Sequence, residues 1–410
     1  MAQLKVDADP REVGFDPDRL QRVERHFRSY VDDGRLAGWT IVVARRGRVA
    51  LLAHHGRADL EADRPVADDT LWRIYSMTKP ITSVAALMLY ERGLLELTDP
   101  VSRFIPEFAD AQVYRAGSAL APATVPAIEP VRVWHLLTHT AGLTYGFHHT
   151  SPVDEMYRAK GFEFDAPRGM DLAAACAAWA GLPLLFQPGT EWNYGVGTDV
   201  LGRVVEVASG QPLDAFLAEH VLGPLDMTDT GFSVAAPDVD RLAALYLPNP
   251  RGGLSRSAAM GDKATSPPTF LSGGGGLVST AADYHRFTQM LARGGELGGV
   301  RLLSSRTVAY MTRNHLPGGV DLEAFGRPVF AESTVRGVGF GLGVSVVVDP
   351  AAVRGLTDVG EYAWGGLAST AFYVNPVEEI TAMFFTQLMP SSTYPIRSQL
   401  RTLVTQALVD

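Results

Sequence analysis

Ser76-Met77-Thr78-Lys79 places a hydroxyl and an amine three residues apart, immediately before a strongly apolar helical pattern. In a helix, side chains at that spacing share one face and can touch. A serine hydroxyl becomes an effective nucleophile only when a neighbour takes its proton, and a lysine amine can do so where its surroundings favour the neutral form. The lysine also stands out in this chain. Lys5, Lys79, Lys160 and Lys263 are the 4 lysines among 36 lysines and arginines. Arginine does not deprotonate in proteins, so it supplies charge but no base. A lysine three residues after a serine therefore points to proton chemistry, against the plainer reading of a helix start with a solvated lysine.

The pattern around this tetrapeptide is ordered. Ile81 to Leu95 carries Val84, Leu87, Met88 and Leu95 at helical intervals, which puts Ser76 just before or in the first turn of a buried helix. Pro80 is tolerated there because early helix N–H groups lack intrahelical partners. Upstream, Asp16 to Gly34 has helical period, with Asp16 as N-cap and Pro17 at the first helical position. Trp39–Ala44 and Val49–Ala53 read as strands joined by Arg45-Arg46-Gly47-Arg48. Downstream, Val131–Leu137, Met170–Trp179, Val200–Ser209, Leu213–Val221 and Ala281–Arg293 read as helices, while Pro106–Pro130 reads as irregular. Strand patterns return at Phe340–Val348, Glu361–Val374 and Ile380–Gln387, before a last helix over 392–408. Strands at both ends with helices between them predict an α/β (α+β) fold. One antiparallel sheet is flanked by the terminal helices, with a large, mainly helical insertion. The expected division is residues 1–75 plus 333–410 as the sheet domain and 76–332 as the helical domain, with the site at the seam.

Composition narrows the function classes. The chain has 410 residues, 46% of them hydrophobic and 20% charged, enough for a large core. A net charge of −9, with no basic cluster longer than the Arg45–Arg48 turn, argues against a nucleic-acid partner. No run of about 18 apolar residues occurs, which argues against membrane insertion. Met1–Pro17 is polar and lacks the apolar segment of a signal peptide. Cys176 is the single cysteine and lies in an alanine-rich apolar run. It cannot form an intrachain disulfide and reads as a buried small hydrophobe. A cytoplasmic location is expected.

Two further stretches bear on chemistry. In Pro188-Gly189-Thr190-Glu191-Trp192-Asn193-Tyr194, a Pro-Gly turn precedes a loop tyrosine. The tyrosine is either structural or a phenol that shares a proton with Lys79. Trp364-Gly365-Gly366-Leu367 lies within a strand pattern. Its glycines mark either a β-bulge or a strand edge presenting an N–H to a substrate carbonyl. Ser272-Gly273-Gly274-Gly275-Gly276 lacks the Gly-Lys-Ser/Thr of a phosphate loop and reads as a tight turn or close backbone approach.

Taken together, the Ser76–Lys79, Tyr194 and Trp364–Leu367 stretches resemble the serine β-lactamase and penicillin-binding-protein superfamily. The closest resemblance is to class C β-lactamases and the family VIII carboxylesterases of the same fold. His135-Leu136-Leu137-Thr138-His139-Thr140-Ala141-Gly142-Leu143 and Pro224-Leu225-Asp226-Met227 also resemble that family, and the match covers most of the chain in order. The resemblance implies Ser76 as nucleophile, Lys79 as its partner and Tyr194 as base and acid. It also implies an oxyanion hole made by the backbone N–H groups of Ser76 and Leu367.

Two departures bear on substrate. Where class C lactamases have Tyr-x-Asn, this chain has Tyr194-Gly195-Val196, without the amide that binds a lactam side chain. Trp364 replaces the lysine of the lactamase K-T-G strand, so an indole stands where a cation would hold a carboxylate. Trp364-Gly365-Gly366 looks like the family VIII pattern, and both changes favour neutral esters over penicillins. Tyr75, Tyr145, Phe147 and Trp192 are candidates for the acyl pocket, or else pack in core and loops. His139 is expected to serve by structural hydrogen bonding. His148-His149 lacks companions at metal-ligand spacing, so no metal or other cofactor is expected. The absence of G-x-S-x-G leaves an α/β-hydrolase reading with little support.

The expected function is a serine hydrolase that cleaves carboxylic esters with small or medium acyl groups through an acyl-enzyme on Ser76. A small-molecule ester is its partner, and the oligomeric state is left open. The alternatives are β-lactam hydrolysis, D-amino-acid peptide hydrolysis or acyl transfer on the same fold, or a non-catalytic binding protein.

Overall fold

The computed structural model describes residues 4–327 and 335–409. Its largest sheet has eight antiparallel strands. In chain order they are β1 (Gly38–Arg45), β2 (Arg48–Asp59), β3 (Arg64–Pro65), β4 (Val338–Phe340), β5 (Ser345–Val347), β6 (Tyr362–Gly365), β7 (Ala371–Asn375) and β8 (Ile380–Phe385). The spatial order is β4-β5-β6-β7-β8-β1-β2-β3. The two ends of the chain meet where β1 pairs with β8, Thr40 opposite Phe385 through Arg45 opposite Ile380. The expected domain boundary at 332–333 lies outside the described residues.

Both faces of the central strands are covered, which is why Trp39–Ala44 is buried throughout and apolar on both faces, Thr40 excepted. Trp39, Ile41 and Val43 share one core with Phe27 of α1 (Pro17–Asp32) and with Leu400 and Val404 of a C-terminal helix, Ile396–Thr405. Val42, Ala44, Met383 and Phe385 face the other way, into the larger core that holds Tyr284 and Phe287. α1 starts as its sequence predicts. The Asp16 side chain accepts the Arg19 N–H, and Pro17 occupies a position whose N–H would be orphaned.

The helix after Ser76, α2 (Thr78–Glu91), is buried along almost its whole length, polar residues included. It packs against α3 (Gly197–Ser209), and Tyr284 of α4 (Ala281–Ala292) donates its hydroxyl to the Met77 carbonyl at 2.9 Å. A helix buried all round is the centre of a core, not an amphipathic surface element. The C-terminal helix is α5 (Ile396–Thr405).

Three segments differ from their sequence reading. Pro106–Pro130 is not irregular throughout, because Gln112–Ser118 and Ala121–Pro126 form a hairpin. Its exposed strands have no apolar alternation to announce them, and it is tied down by distant backbone bonds, Tyr114 N to Leu184 O and Leu184 N to Gln112 O. Glu361–Val374 is broken into β6 and β7 by a turn at 366–370. Phe340–Val348 divides into the ends of β4 and β5, with Gly343 at φ 93° between them. Cys176 is free and buried. Among the described residues no helix is long and apolar enough to cross a membrane.

Candidate active site

Ser76 stands at the start of α2, in a 3₁₀ turn over Tyr75–Met77. Tyr75 has φ 43°, a conformation that bulky residues rarely adopt. Such strain persists only where the surroundings enforce it, and here it falls on the residue that sets the direction of Ser76. Burial also pushes the Tyr75 phenol up to about 12, so it stays protonated at neutral pH.

The three sequence candidates converge. Tyr194 Oη donates to Ser76 Oγ at 2.6 Å, and Lys79 Nζ donates to the same oxygen at 3.2 Å. The Lys79 ammonium lies 4.5 Å from the centre of the Tyr194 ring. Lys79 is fully buried, so its three N–H donors need acceptors. Ser76 Oγ is one, and the other two are the Gly274 carbonyl at 2.7 Å and Tyr145 Oη at 2.9 Å. Both groups that point at Ser76 are donors in this protonation state. Either Lys79 or Tyr194 must lose a proton before it can accept one from Ser76.

The glycine run explains how the lysine is held. Asp199 of α3 accepts the Gly274 N–H at 2.9 Å and the Ser272 hydroxyl at 2.5 Å through one oxygen. A Cβ on Gly274 would lie 2.5 Å from the Asp199 carboxylate. Thr82, one turn after Lys79, donates to the Gly273 carbonyl at 2.8 Å. The loop is therefore stitched to two helices, and its carbonyl is fixed over the amine. Burial raises the Asp199 carboxyl, partly offset by the Lys79 charge and by its two hydrogen-bond donors. Burial likewise pushes the Tyr145 phenol well above its ordinary value, so it presents a neutral hydroxyl to Lys79.

Opposite lies the end of β6. Trp364, Gly365, Gly366 and Leu367 line the same cavity of about 510 Å³ as Ser76 and Tyr194. The pairing of β6 with β7 runs without a register shift from Tyr362–Val374 to Gly365–Ala371, so the glycines do not mark a bulge. They mark close approach: a Cβ on Gly366 would lie 2.4 Å from the Ile74 carbonyl, two residues before Ser76. The Trp364 ring meets Tyr194 at 5.4 Å and Phe340 at 5.3 Å between centroids, so this wall carries an aromatic surface.

Tyr75, Tyr145, Phe147 and Trp192 also line the cavity. Tyr145 does more than line it, because its hydroxyl is a partner of Lys79, a role beyond the pocket or packing role that its sequence suggests. The available signal is its position two residues after the family-like His135–Leu143 stretch. Asp199 belongs to this hydrogen-bond network and is not singled out by sequence reasoning, although it lies five residues after Tyr194. Phe147 stacks on Tyr145 at 4.8 Å and on the half-exposed Phe164 at 5.4 Å. His139 departs from expectation. Its ring packs edge-on against Trp192, Tyr194 and Phe340, and Nε2 finds no hydrogen-bond partner among the described residues. Burial and the nearby Lys79 charge hold it well below its usual value, hence neutral. His148 donates from Nε2 to the Tyr194 carbonyl at 2.7 Å, bracing the loop that carries the phenol. Among the described residues no cluster of three His, Cys, Asp or Glu is placed to hold a metal.

Comparison with known proteins fits this geometry. A family profile described as Beta-lactamase matches residues 23–406. Protein Rv1367c of Mycobacterium tuberculosis is 37% identical over 89% of each chain. Esterase EstB of Burkholderia gladioli is 33% identical over 92% of this chain and 93% of its own. Among solved structures, one described as "EstCE1, a hydrolase with promiscuous acyltransferase activity" superposes with a TM-score of 0.79. It is 28% identical and covers 95% of this chain and 98% of its own.

Proposed function

This chain belongs to the beta-lactamase family of serine hydrolases, and from that premise we propose that it is a carboxylesterase working through an acyl-enzyme on Ser76. One observation carries the reading: Tyr194 Oη and Lys79 Nζ meet on Ser76 Oγ from two sides, at 2.6 and 3.2 Å. Ser76 Oγ attacks the ester carbonyl while its proton passes to the deprotonated member of the Lys79–Tyr194 pair. Charge on the carbonyl oxygen is taken up by the N–H groups of Ser76 and Leu367; one such donor is typically worth about 3–4 kcal/mol in the barrier. The C–O bond to the alcohol then breaks, and Tyr194 returns a proton to the leaving oxygen. Water then attacks the acyl carbon while its proton passes to the same pair, the bond from that carbon to Ser76 Oγ breaks, and the pair returns the proton to Oγ as the acid leaves.

Ester rather than lactam is favoured by Trp364. The wall beside the reacting carbonyl carries an indole packed on Tyr194, which suits neutral, apolar alcohol or acyl groups of small or medium size. The single buried cysteine fits a cytoplasmic setting.

Acyl transfer to an alcohol is the second reading. It is supported by the acyltransferase activity that EstCE1 carries beside its hydrolase activity, and by the aromatic cavity, in which an apolar alcohol can compete with water for the acyl-enzyme. A panel of p-nitrophenyl esters and a chromogenic cephalosporin, with and without added alcohol, tests both readings. Ester turnover that survives in folded Ser76→Ala rejects the mechanism, and a cephalosporin turned over faster than every ester rejects the substrate class.

A further inference from the structure

At one side of the cavity, α5 is fastened across β6 at two points, and Glu361, Arg397 and Arg401 all line the cavity that holds Ser76. Arg401 pairs with Glu361, just before β6, at 2.5 Å, and the Glu361 side chain is completely buried. One turn earlier, Arg397 Nη2 donates to the Gly366 carbonyl at 3.3 Å. The same carbonyl accepts the Ser369 N–H at 3.1 Å.

Gly365 makes room for this contact. The three atoms nearest an added Cβ there all belong to the Arg397 guanidinium, at 2.3, 2.4 and 2.6 Å. Any side chain on that face of the strand would displace the guanidinium. The first glycine of the pair thus serves Arg397, while the second admits the Ile74 backbone.

The Gly366 carbonyl and the Leu367 N–H belong to one peptide group. That group is planar and trans, so its C=O and N–H point in opposite directions. A donor that fixes the carbonyl on the α5 side therefore fixes the N–H on the other side. The Leu367 N–H has no acceptor among the described residues, and Leu367 lines the cavity with Ser76. A cation on the carbonyl also polarises the amide, which strengthens its N–H as a donor.

We infer that Arg397 is a positioning residue for the oxyanion hole: it holds the Gly366 carbonyl, and so aims the Leu367 N–H of the same peptide at the substrate oxyanion. The inference rests on the proposed acyl-enzyme mechanism. It adds a residue that acts on the hole through the Gly366–Leu367 peptide.

The test uses the full chain and a neutral substrate, p-nitrophenyl butyrate. Arg397→Met should lower kcat roughly 10- to 100-fold, less than outright loss of an oxyanion donor, with KM within about twofold. Affinity for phenylboronic acid, whose tetrahedral adduct on a serine carries charge in that hole, should weaken by a similar factor. Gly365→Ala should reproduce the loss by evicting the guanidinium. The double variant Gly365→Ala/Arg397→Met should be no worse than the poorer single one, because both break one contact.

An unchanged kcat in folded Arg397→Met overturns the inference. So do losses that multiply in the double variant, or a defect seen only as a raised KM for anionic esters. If Arg397→Met does not fold, Gly365→Ala alone decides, and normal turnover there is contradictory. Turnover that persists in Ser76→Ala would instead remove the underlying mechanism, whatever Arg397 does.

Discussion

On the helical wall of the cleft, reactive side chains are held by a closed set of hydrogen bonds. Lys79 is bound by Ser76, Tyr145 and Gly274, and Gly274 is bound in turn by Asp199. On the sheet wall, Trp364 to Leu367 offer an indole and backbone groups, with Arg397 of α5 beside them. The helical wall can move protons. The sheet wall can stabilise charge and choose a substrate by shape and polarity. Under the proposed mechanism, this division would let the substrate class change by replacing one strand residue while the proton-transfer groups stay in place.

Breaking the helical wall should have the largest effect. Ser76→Ala and Lys79→Arg should each lower kcat on a p-nitrophenyl ester by roughly 10⁴-fold or more, as loss of a nucleophile or its base does in other serine hydrolases. The arginine variant is the sharper of the two, because it keeps charge and loses only the ability to deprotonate. Tyr194→Phe, measured on the same ester, should cost about 10²- to 10⁴-fold.

Replacing the sheet wall should redirect the enzyme rather than kill it. In Trp364→Lys, kcat/KM for a neutral ester should fall about tenfold, while an ester with a carboxylate in its alcohol half gains relative to it. An equal loss on both substrates would show that Trp364 acts only by packing.

A finer cut separates the lysine from its supports. Tyr145→Phe removes one of three acceptors from a buried ammonium, a loss of about 1–3 kcal/mol for the charged group. Steady-state kinetics should show kcat down about tenfold with little change in KM. A changed KM alone would return Tyr145 to the role of pocket lining.

The smallest effect is on stability and lies outside the reaction. Burial lowers His135 to about 4 from an ordinary 6.5, and its Nδ1 accepts the Arg132 N–H. The unfolded chain binds this proton first as pH falls, so the stability from His135 is present above about pH 6.5. It is lost progressively as pH drops towards 4. Urea unfolding at pH 7 and pH 4.5 should show a smaller acid loss in His135→Asn, which keeps an acceptor and cannot be protonated. An unchanged acid loss would assign it to other groups, among them buried His285, also lowered to about 4.

The legibility of the two walls differs for a physical reason. Ser76, Lys79 and Tyr194 can be found from residue type because their chemistry resides in the side chain. The strands at both ends are legible because a sheet covered on both faces needs continuous apolar runs such as Ile41–Ala44. Asp199 and Gly274 act through where tertiary packing puts them, and the only hint is an unexplained glycine run. The hairpin over Gln112–Pro126 escapes for the related reason that it is fixed by pairing with Leu184 rather than by an apolar face. Arg397 is one of 32 arginines in sequence. Its distinction is a peptide group it meets 31 residues away.

The most direct test of the acyl-enzyme is mass spectrometry of the full chain after treatment with a fluorophosphonate, followed by peptide mapping. The account predicts one equivalent of adduct, on Ser76, formed in step with loss of esterase activity and absent in folded Ser76→Ala. Inactivation with the adduct on another residue, or ester turnover that continues with Ser76 fully modified, would contradict it.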